Sequence, residues 1–346
     1  MLRAACLAAL ILLPSFAFNF AQIPPIAIPA MDPRAAKLMA EGKDFEKREQ
    51  LTSAVDSYRA ANKAAGGSCE DCLQALFALQ MRMPVYKDAA ATAVRLEDIA
   101  LDAAAKTTAE VGHAQALLFE YEQRPKRGLL DDANRVLLRA ETNTPNGTAV
   151  MMLRGRVLAL QEDNEAASKE FLAYAKLLNP DNPLAKRALH FAENPQLARK
   201  RLAPDFTVKT HDGQTFSLAQ AIGKVVMIDF WATWCGPCQQ ELPYVKDMAE
   251  DFDKKDVVML SVSWDESQDA WERYLREKKM VWLQYRDADS RMRQRFNISA
   301  IPTYILIDRD GVVRRKAVGG MLDIRSDLND LVAGKSIPAD TETKKD

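Results

Sequence analysis

Two cysteines separated by two residues form the segment with the clearest chemistry, Trp234-Cys235-Gly236-Pro237-Cys238. The apolar run 225–231 before it predicts a fully buried strand of a parallel sheet, and the apolar spacing over 239–252 predicts a helix. The pair therefore stands where a strand ends and a helix begins. The free N–H groups and the positive dipole end of a helix N-terminus favour a thiolate. We expect Cys235, at the exposed start of the helix, to be the attacking thiol and Cys238, one turn further, to be the shielded resolving thiol.

A Cys-x-x-Cys motif alone is also compatible with half of a zinc site or with a structural disulfide. No second Cys-x-x-Cys motif or histidine pair lies nearby to complete four zinc ligands. A strand before the motif and a helix after it are typical of a redox pair. The sequence therefore predicts thiol–disulfide chemistry with no metal and no other cofactor.

The segment from Phe230 to Cys238 resembles the active-site segment of thioredoxins. Ala203-Pro204-Asp205-Phe206 and Ile301-Pro302-Thr303 resemble the corresponding motifs of the exported TlpA/ResA-like branch of that superfamily. The resemblance implies an α/β thioredoxin fold over residues 200–336 and thiol–disulfide exchange on protein disulfides. The dipeptide between the cysteines resembles that of reducing thioredoxins, which favours a reductase fed by a membrane or soluble electron donor.

The resemblance also implies which residues bind the substrate. Pro302 matches the cis-proline of the family, and a cis bond there would present the backbone of Ile301 for strand-like pairing with a bound substrate. The alternative is an ordinary trans proline at a strand start. Trp234, Gly236 and Pro237 complete the expected substrate surface.

Two carboxyl groups are candidates for proton transfer. Asp229 matches the thioredoxin aspartate that lies under the resolving cysteine and relays its proton, whereas many members of the exported branch carry asparagine there. Glu241, three residues after Cys238, matches a glutamate of that branch with a role in specificity and proton handling. A buried carboxyl beside a thiol is costly unless its proton is used. The alternative for Glu241 is a solvated carboxylate or one that caps the helix.

The elements expected around these residues follow from periodicity and turn residues. We predict a β-hairpin at 206–208 with 214–216, core strands at 224–231 and 257–262, and a closing antiparallel pair at 304–307 with 312–316. The predicted helices are 239–252, 267–279, 290–296 and 323–331.

Residues 34–196 predict an all-α domain that resembles tetratricopeptide repeats. Ala133, Leu137 and Ala140 are matched 34 residues later by Ala167, Phe171 and Tyr174, so a small residue followed four positions on by a bulky one recurs at the expected helix contacts. The alternative is a generic antiparallel helical bundle. A repeat domain would bind a protein or peptide partner. The expected helix pairs are 35–47 with 50–64, 70–82 with 87–104, 109–123 with 128–141, and 147–160 with 164–178, closed by a helix at 183–192.

A second Cys-x-x-Cys motif, Cys69-Glu70-Asp71-Cys72, follows Gly66-Gly67-Ser68 and opens a helix of this domain. We interpret it as a structural disulfide. The alternatives are a redox relay with the first pair and, least favoured, a metal site, because none of the three histidines has a ligand spacing to these cysteines.

The N-terminus predicts export. Residues 1–21 carry one positive charge, a short apolar core and small residues near its end, which is typical of a cleaved signal peptide, and we expect a periplasmic protein. An uncleaved membrane anchor is the alternative. Residues 22–33 predict a linker and 337–346 a disordered tail. With 47 basic and 48 acidic residues, the chain shows no charge excess that would favour nucleic acid.

Three other functions share some of these sequence features. A peroxiredoxin needs threonine or serine three residues before its reactive cysteine, where this chain has Ala232. A repeat scaffold with an unused thioredoxin domain disagrees with the intact cysteine pair. A dedicated supplier of reductant for cytochrome c or metal-site maturation is compatible with the motifs.

Overall fold

The computed structural model describes residues 32–48, 50–252, 256–319, 321–335 and 337. The predicted signal peptide, most of the predicted linker and most of the predicted tail lie outside these residues. Within the described ranges, no helix combines the length and the apolar character needed to cross a membrane.

The first half of the described chain is helical. Between residues 32 and 199, of which only residue 49 is left undescribed, the chain forms nine α-helices and a 3-10 turn at Pro195–Arg199. The helices are α1 (Pro33–Lys47), α2 (Leu51–Ala64), α3 (Glu70–Arg82), α4 (Tyr86–Ile99), α5 (Ala103–Gln123), α6 (Arg127–Asn143), α7 (Thr148–Leu160), α8 (Asn164–Lys176) and α9 (Pro183–Glu193).

The predicted helix pairs are confirmed, with one shifted boundary. The sequence pattern placed residues up to 104 in the second helix of the second pair, but α4 ends at Ile99 and α5 begins at Ala103. Asp102 causes this break, because its side chain accepts a hydrogen bond from the backbone N–H of Ala105 and so caps α5. The alanine-rich run on both sides concealed the boundary.

Successive helices pack against each other, and α5 also contacts α7, the first helix of the next pair. Two close approaches depend on glycine. A Cβ atom on Gly42 of α1 would lie 2.4 Å from the Tyr58 ring of α2, and one on Gly155 of α7 would lie 2.6 Å from the Phe171 ring of α8. The absence of a side chain lets each aromatic ring lie directly on the facing helix backbone.

The second half is a thioredoxin-like α/β domain. A hairpin of β1 (Thr207–Lys209) and β2 (Thr215–Ser217) precedes a five-stranded sheet with the order β5-β4-β3-β6-β7. β3 pairs in parallel with β4 and antiparallel with β6. The remaining elements are β3 (Val225–Trp231), α10 (Gly236–Phe252), β4 (Val257–Ser263), α11 (Gln268–Lys278), β5 (Leu283–Arg286), α12 (Arg291–Arg295), β6 (Thr303–Ile307), β7 (Val313–Val318) and α13 (Met321–Val332).

The predicted elements of this domain are confirmed to within a few residues, and β5 was missed. Its short sequence Leu283–Arg286 is half polar, and it becomes a strand only through parallel pairing with β4. All seven residues of β3 are buried, as predicted for a central strand covered on both faces. Ile337, which the sequence analysis assigned to the disordered tail, is buried in the core beside α13, so the packed domain extends to that residue.

The two halves meet at α9, which packs against a 3-10 turn at Leu218–Ala221. Arg187 of α9 pairs with Asp205 at 2.5 Å, and His190 of α9 lies 2.6 Å from Asp310. Because these contacts join the end of the helical half to the α/β domain, they position one half on the other.

Candidate active site

The central feature of the site is a disulfide between Cys235 and Cys238, whose Cα atoms lie 5.2 Å apart. The helix α10 begins at Gly236, directly after the first cysteine, as the sequence predicted. The backbone N–H of Cys238 donates a hydrogen bond to the Cys235 sulfur at 3.2 Å. In the reduced pair, a donor at this position would favour the thiolate form of Cys235.

The expected difference in exposure between the two sulfurs is absent in this oxidised state. Cys235 is 5% exposed and Cys238 is 6% exposed, so the prediction that Cys235 lies at an exposed position is wrong for the disulfide form. Both pack in an apolar cluster with Trp231 and Trp271. Trp234, by contrast, is 63% exposed beside them and presents the largest apolar surface next to the cysteines.

Asp265 holds the loop that leads into the cysteines. Its carboxylate accepts hydrogen bonds from the backbone N–H of Thr233 at 2.9 Å, from the Thr233 hydroxyl, and from the Ser263 hydroxyl at 2.6 Å. Sequence reasoning missed this residue. A signal was available, since Asp265 follows β4 just as the cysteine motif follows β3, and parallel neighbours end at the same edge of a sheet.

The peptide bond between Ile301 and Pro302 is cis, which confirms the prediction from the resemblance. Ile301 is half-buried and packs against the apolar cluster that contains both cysteines. Gly236 and Pro237 are exposed at the start of α10. Trp234, Gly236 and Pro237 are thus exposed next to the cysteines, and Ile301 contacts the cluster that contains them.

Asp229 is buried in β3, on the same face of the sheet as Trp231, which packs beside Cys238. Burial raises the pKa of Asp229 to about 7; the hydrogen bond from the Ser261 hydroxyl, at 3.0 Å, opposes this rise, and the nearby charge of Glu241 adds to it. This carboxyl therefore exchanges its proton near neutral pH.

A tyrosine that sequence reasoning missed lies between the two carboxyl groups in the fold, beside Asp229 and bonded to Glu241. Tyr304 of β6 lies opposite Asp229 of β3, and its hydroxyl donates a hydrogen bond to Glu241 of α10 at 2.6 Å. Burial and the two carboxylates raise the pKa of Tyr304, so its hydroxyl stays protonated. On the other side of Asp229, the Trp282 indole N–H donates to Ser261 at 2.8 Å. The two carboxyl groups thus belong to two hydrogen-bonded sets, Trp282–Ser261–Asp229 and Tyr304–Glu241, which lie side by side under α10.

The second cysteine pair also forms a disulfide, between Cys69 and Cys72, at the start of α3. It lies in the helical half, where α3 packs against α2 and α4, and is not part of the site at α10. Among the residues that the structure describes, no group of three or more potential ligand side chains could hold a metal ion.

Comparison with protein families identifies the α/β domain. The model of the AhpC/TSA family matches residues 200–316, about a third of the chain.

Curated relatives cover more of the domain. The chain is 29% identical over 129 residues to the thiol-disulfide oxidoreductase ResA of Bacillus cereus. The match covers 37% of this chain and 75% of that protein. It is 30% identical over 131 residues to ResA of Geobacillus kaustophilus, and this match covers 38% of this chain and 75% of the relative.

Solved structures are similar over the same share of the chain. The thioredoxin domain of a thiol-disulfide oxidoreductase from Bacteroides vulgatus is 28% identical, with a TM-score of 0.34, and covers 39% of this chain and 95% of that chain. A thiol:disulfide interchange protein from Chlorobium tepidum is 26% identical, with a TM-score of 0.36, and covers 39% of this chain and 97% of that chain.

Proposed function

The chain belongs to the ResA family of thiol–disulfide oxidoreductases, and we propose that it reduces protein disulfides through the Cys235/Cys238 pair. The observation that carries the proposal is the position of this disulfide at the first turn of α10, with the cis Ile301–Pro302 bond beside the same apolar cluster. The Gly-Pro dipeptide between the cysteines supports the reducing direction.

In the proposed cycle, the Cys235 thiolate attacks one sulfur of the substrate disulfide, and the other substrate sulfur leaves as a thiolate and takes up a proton. Cys238 then loses its proton and attacks Cys235, which releases the reduced substrate and leaves the enzyme disulfide. Asp229 is the proposed proton acceptor for Cys238, because burial places its pKa at about 7. Glu241, which is held by Tyr304, modulates this pKa through its charge.

Substrate docking is proposed for the surface around the disulfide. Trp234, Gly236 and Pro237 are exposed there. The backbone of Ile301, which precedes β6, is the proposed partner for an extended substrate segment.

The helical half is proposed to be a tetratricopeptide-like domain that recruits a protein or peptide partner. The glycine–aromatic contacts between α1 and α2 and between α7 and α8 have the same 16-residue separation, Gly42 to Tyr58 and Gly155 to Phe171. In both pairs an alanine stands four residues before the aromatic residue, at Ala54 and at Ala167. This recurrence at two distant positions supports a repeated unit.

We also propose that the protein is exported, to the periplasm, and that a membrane or soluble electron donor re-reduces it. All four cysteines of the described residues form disulfides, a state that persists in oxidising compartments. The predicted signal peptide, or its uncleaved form as an anchor, agrees with this location.

Reduction of insulin disulfides, followed by the turbidity of the released B chain with dithiothreitol as electron donor, tests the activity. The full-length chain should accelerate reduction, and Cys235→Ser should lose that acceleration. The variant Cys69→Ser/Cys72→Ser is the matched control and should retain it, because this pair lies outside the site. Equal rates for the wild type and Cys235→Ser would refute the proposal and favour a scaffold that does not use its cysteines.

A further inference from the structure

The second disulfide repeats the local geometry of the catalytic one. Each pair encloses two residues at the start of a helix, and the Cα–Cα distance is 5.3 Å for Cys69–Cys72 and 5.2 Å for Cys235–Cys238. The backbone N–H of Cys72 donates to the Cys69 sulfur at 3.2 Å, as the N–H of Cys238 does to the Cys235 sulfur. A thiolate formed at Cys69 would therefore receive the same stabilisation from the helix start.

The two sulfurs of this pair differ in access to solvent. Cys72 is fully buried in the core shared by α2 and α3, whereas Cys69 is half-buried at the surface. The backbone of Cys69 is held in place by the buried side chain of Asn62, whose oxygen accepts its N–H at 3.0 Å. The positive-φ residues Gly66 and Gly67 lead into it, and the Arg95 side chain donates a hydrogen bond to the Gly67 carbonyl at 3.0 Å. Of the two cysteines, Cys69 is therefore the one placed to meet an incoming thiolate.

A purely structural role fits this disulfide poorly. A disulfide stabilises the folded state chiefly when it closes a long loop, and the gain falls as the loop shortens. Cys69 and Cys72 are three residues apart and belong to the same helical turn, so their bond joins no separate elements. The α3 helix already packs against α2 and α4 without it.

We propose that Cys69–Cys72 is a second thiol–disulfide exchange site, which accepts electrons from a Cys-x-x-Cys dithiol on a separate protein molecule. One donor thiolate attacks the Cys69 sulfur and forms a mixed disulfide, and Cys72 leaves as a thiolate and takes up a proton. The second donor thiolate then attacks the donor sulfur that is bonded to Cys69. Cys69 leaves as a thiolate and takes up a proton, and the donor becomes a disulfide. Two electrons and two protons pass from the donor to the pair.

The donor is assigned to a separate molecule because of the topology of the helical half. Among the helices, α9 packs most extensively against the α/β domain, whereas α3 packs between α2 and α4. The side chains of Glu70 and Asp71 are exposed between the cysteines, in place of the neutral Gly236 and Pro237 of the catalytic pair. This negative charge would favour donors with a positive or neutral surface around their cysteines.

The first test uses two full-length variants that each keep one pair. The oxidised variant Cys6→Ser/Cys235→Ser/Cys238→Ser is mixed with the reduced variant Cys6→Ser/Cys69→Ser/Cys72→Ser, the reaction is quenched with acid, and the thiols are alkylated and counted by mass spectrometry. The proposal expects electron transfer with an equilibrium constant within about 1,000-fold of one, which corresponds to about 90 mV. No transfer after a day, or a constant beyond that range, would overturn it. Neither result depends on insulin reduction, so this proposal and the proposed function can fail separately.

The second test asks which sulfur is attacked. In the background Cys6→Ser/Cys235→Ser/Cys238→Ser, the further change Cys72→Ser leaves Cys69, and Cys69→Ser leaves Cys72. With 5,5′-dithiobis(2-nitrobenzoate) in excess, Cys69 should react at least about tenfold faster than Cys72, because burial excludes the reagent. Equal rates in variants with the wild-type circular-dichroism spectrum would contradict an exchange site with one accessible sulfur. Variants that do not fold leave the first test decisive, since it uses the intact pair.

Discussion

Replacing Asp229 by asparagine should stabilise the protein and slow its reaction, and the stabilisation should depend on pH. Burial raises the pKa of Asp229 from 3.8 to about 7 in the folded protein. Below pH 3.8 the carboxyl is protonated in both the folded and the unfolded protein, so it does not lower the free energy of unfolding. As pH rises towards 7, only the unfolded chain releases its proton, so stability falls, and above pH 7 the loss is constant.

The pKa of Asp229 is raised by about 3. At 1.36 kcal/mol per pKa unit, this lowers the free energy of unfolding by on the order of 4 kcal/mol above pH 7. At pH 4.5 the same linkage relation leaves a loss of about 1 kcal/mol. Asparagine cannot ionise, so Asp229→Asn should be more stable than the wild type by an amount that grows by about 3 kcal/mol between pH 4.5 and pH 8.5.

Urea unfolding of the oxidised proteins at these two pH values measures the difference in the free energy of unfolding. The matched control is Asp247→Asn, which removes an exposed carboxyl group of the same helix, α10. Insulin reduction by Asp229→Asn should be slower, since the proton acceptor proposed for Cys238 is removed. A stability difference between Asp229→Asn and the wild type that stays constant from pH 4.5 to pH 8.5 would refute the assignment of a raised pKa to this carboxyl.

Two further predictions concern elements that position the site and the helical half. Asp265→Ala removes the acceptor for Thr233 in the loop before the cysteines. We expect the rate of insulin reduction to fall about tenfold and the free energy of unfolding to fall by about 1–3 kcal/mol, with Asp265→Asn intermediate in both assays. An unchanged rate would show that the loop is held without this residue. Gly155→Ala places a methyl group 2.6 Å from the Phe171 ring and should cost about 1–3 kcal/mol by urea unfolding. In the control Gly128→Ala the new methyl group meets nothing within 4 Å, so equal stability of the two variants would contradict the close packing of α7 on α8.

The Cys235/Cys238 pair and its neighbours were predictable because their signals are local. A buried strand, a Cys-x-x-Cys motif and a helix follow each other without a break, so spacing alone places Cys235 and Cys238 at a helix start. The helix pairs were predictable for the same reason, since a helix buries a stripe that repeats along its own sequence. The miss at Asp102 shows the limit, because alanine is a good helix former on both sides of the cap.

The polar groups under α10 could not be predicted in the same way. Asp229 was recognised by resemblance, but Ser261 and Tyr304, which lie 32 or more residues further along the chain, are brought beside it only by strand pairing. Each of these residues, taken alone, has the sequence pattern of an ordinary core position. The register of the sheet decides which of them lie together, and register follows from the packing of whole elements.

The amino-acid sequence by itself determined the two halves, the two cysteine pairs at helix starts and the chemistry of thiol–disulfide exchange, because each of these depends on residues close together in the chain. Only the tertiary structure decided that Cys235 and Cys238 are both buried in the oxidised state and that Asp265 holds the loop before them. It also decided that burial places the pKa of Asp229 near neutrality. These properties are set by desolvation and by contacts between distant segments, and both come into existence only when the elements pack.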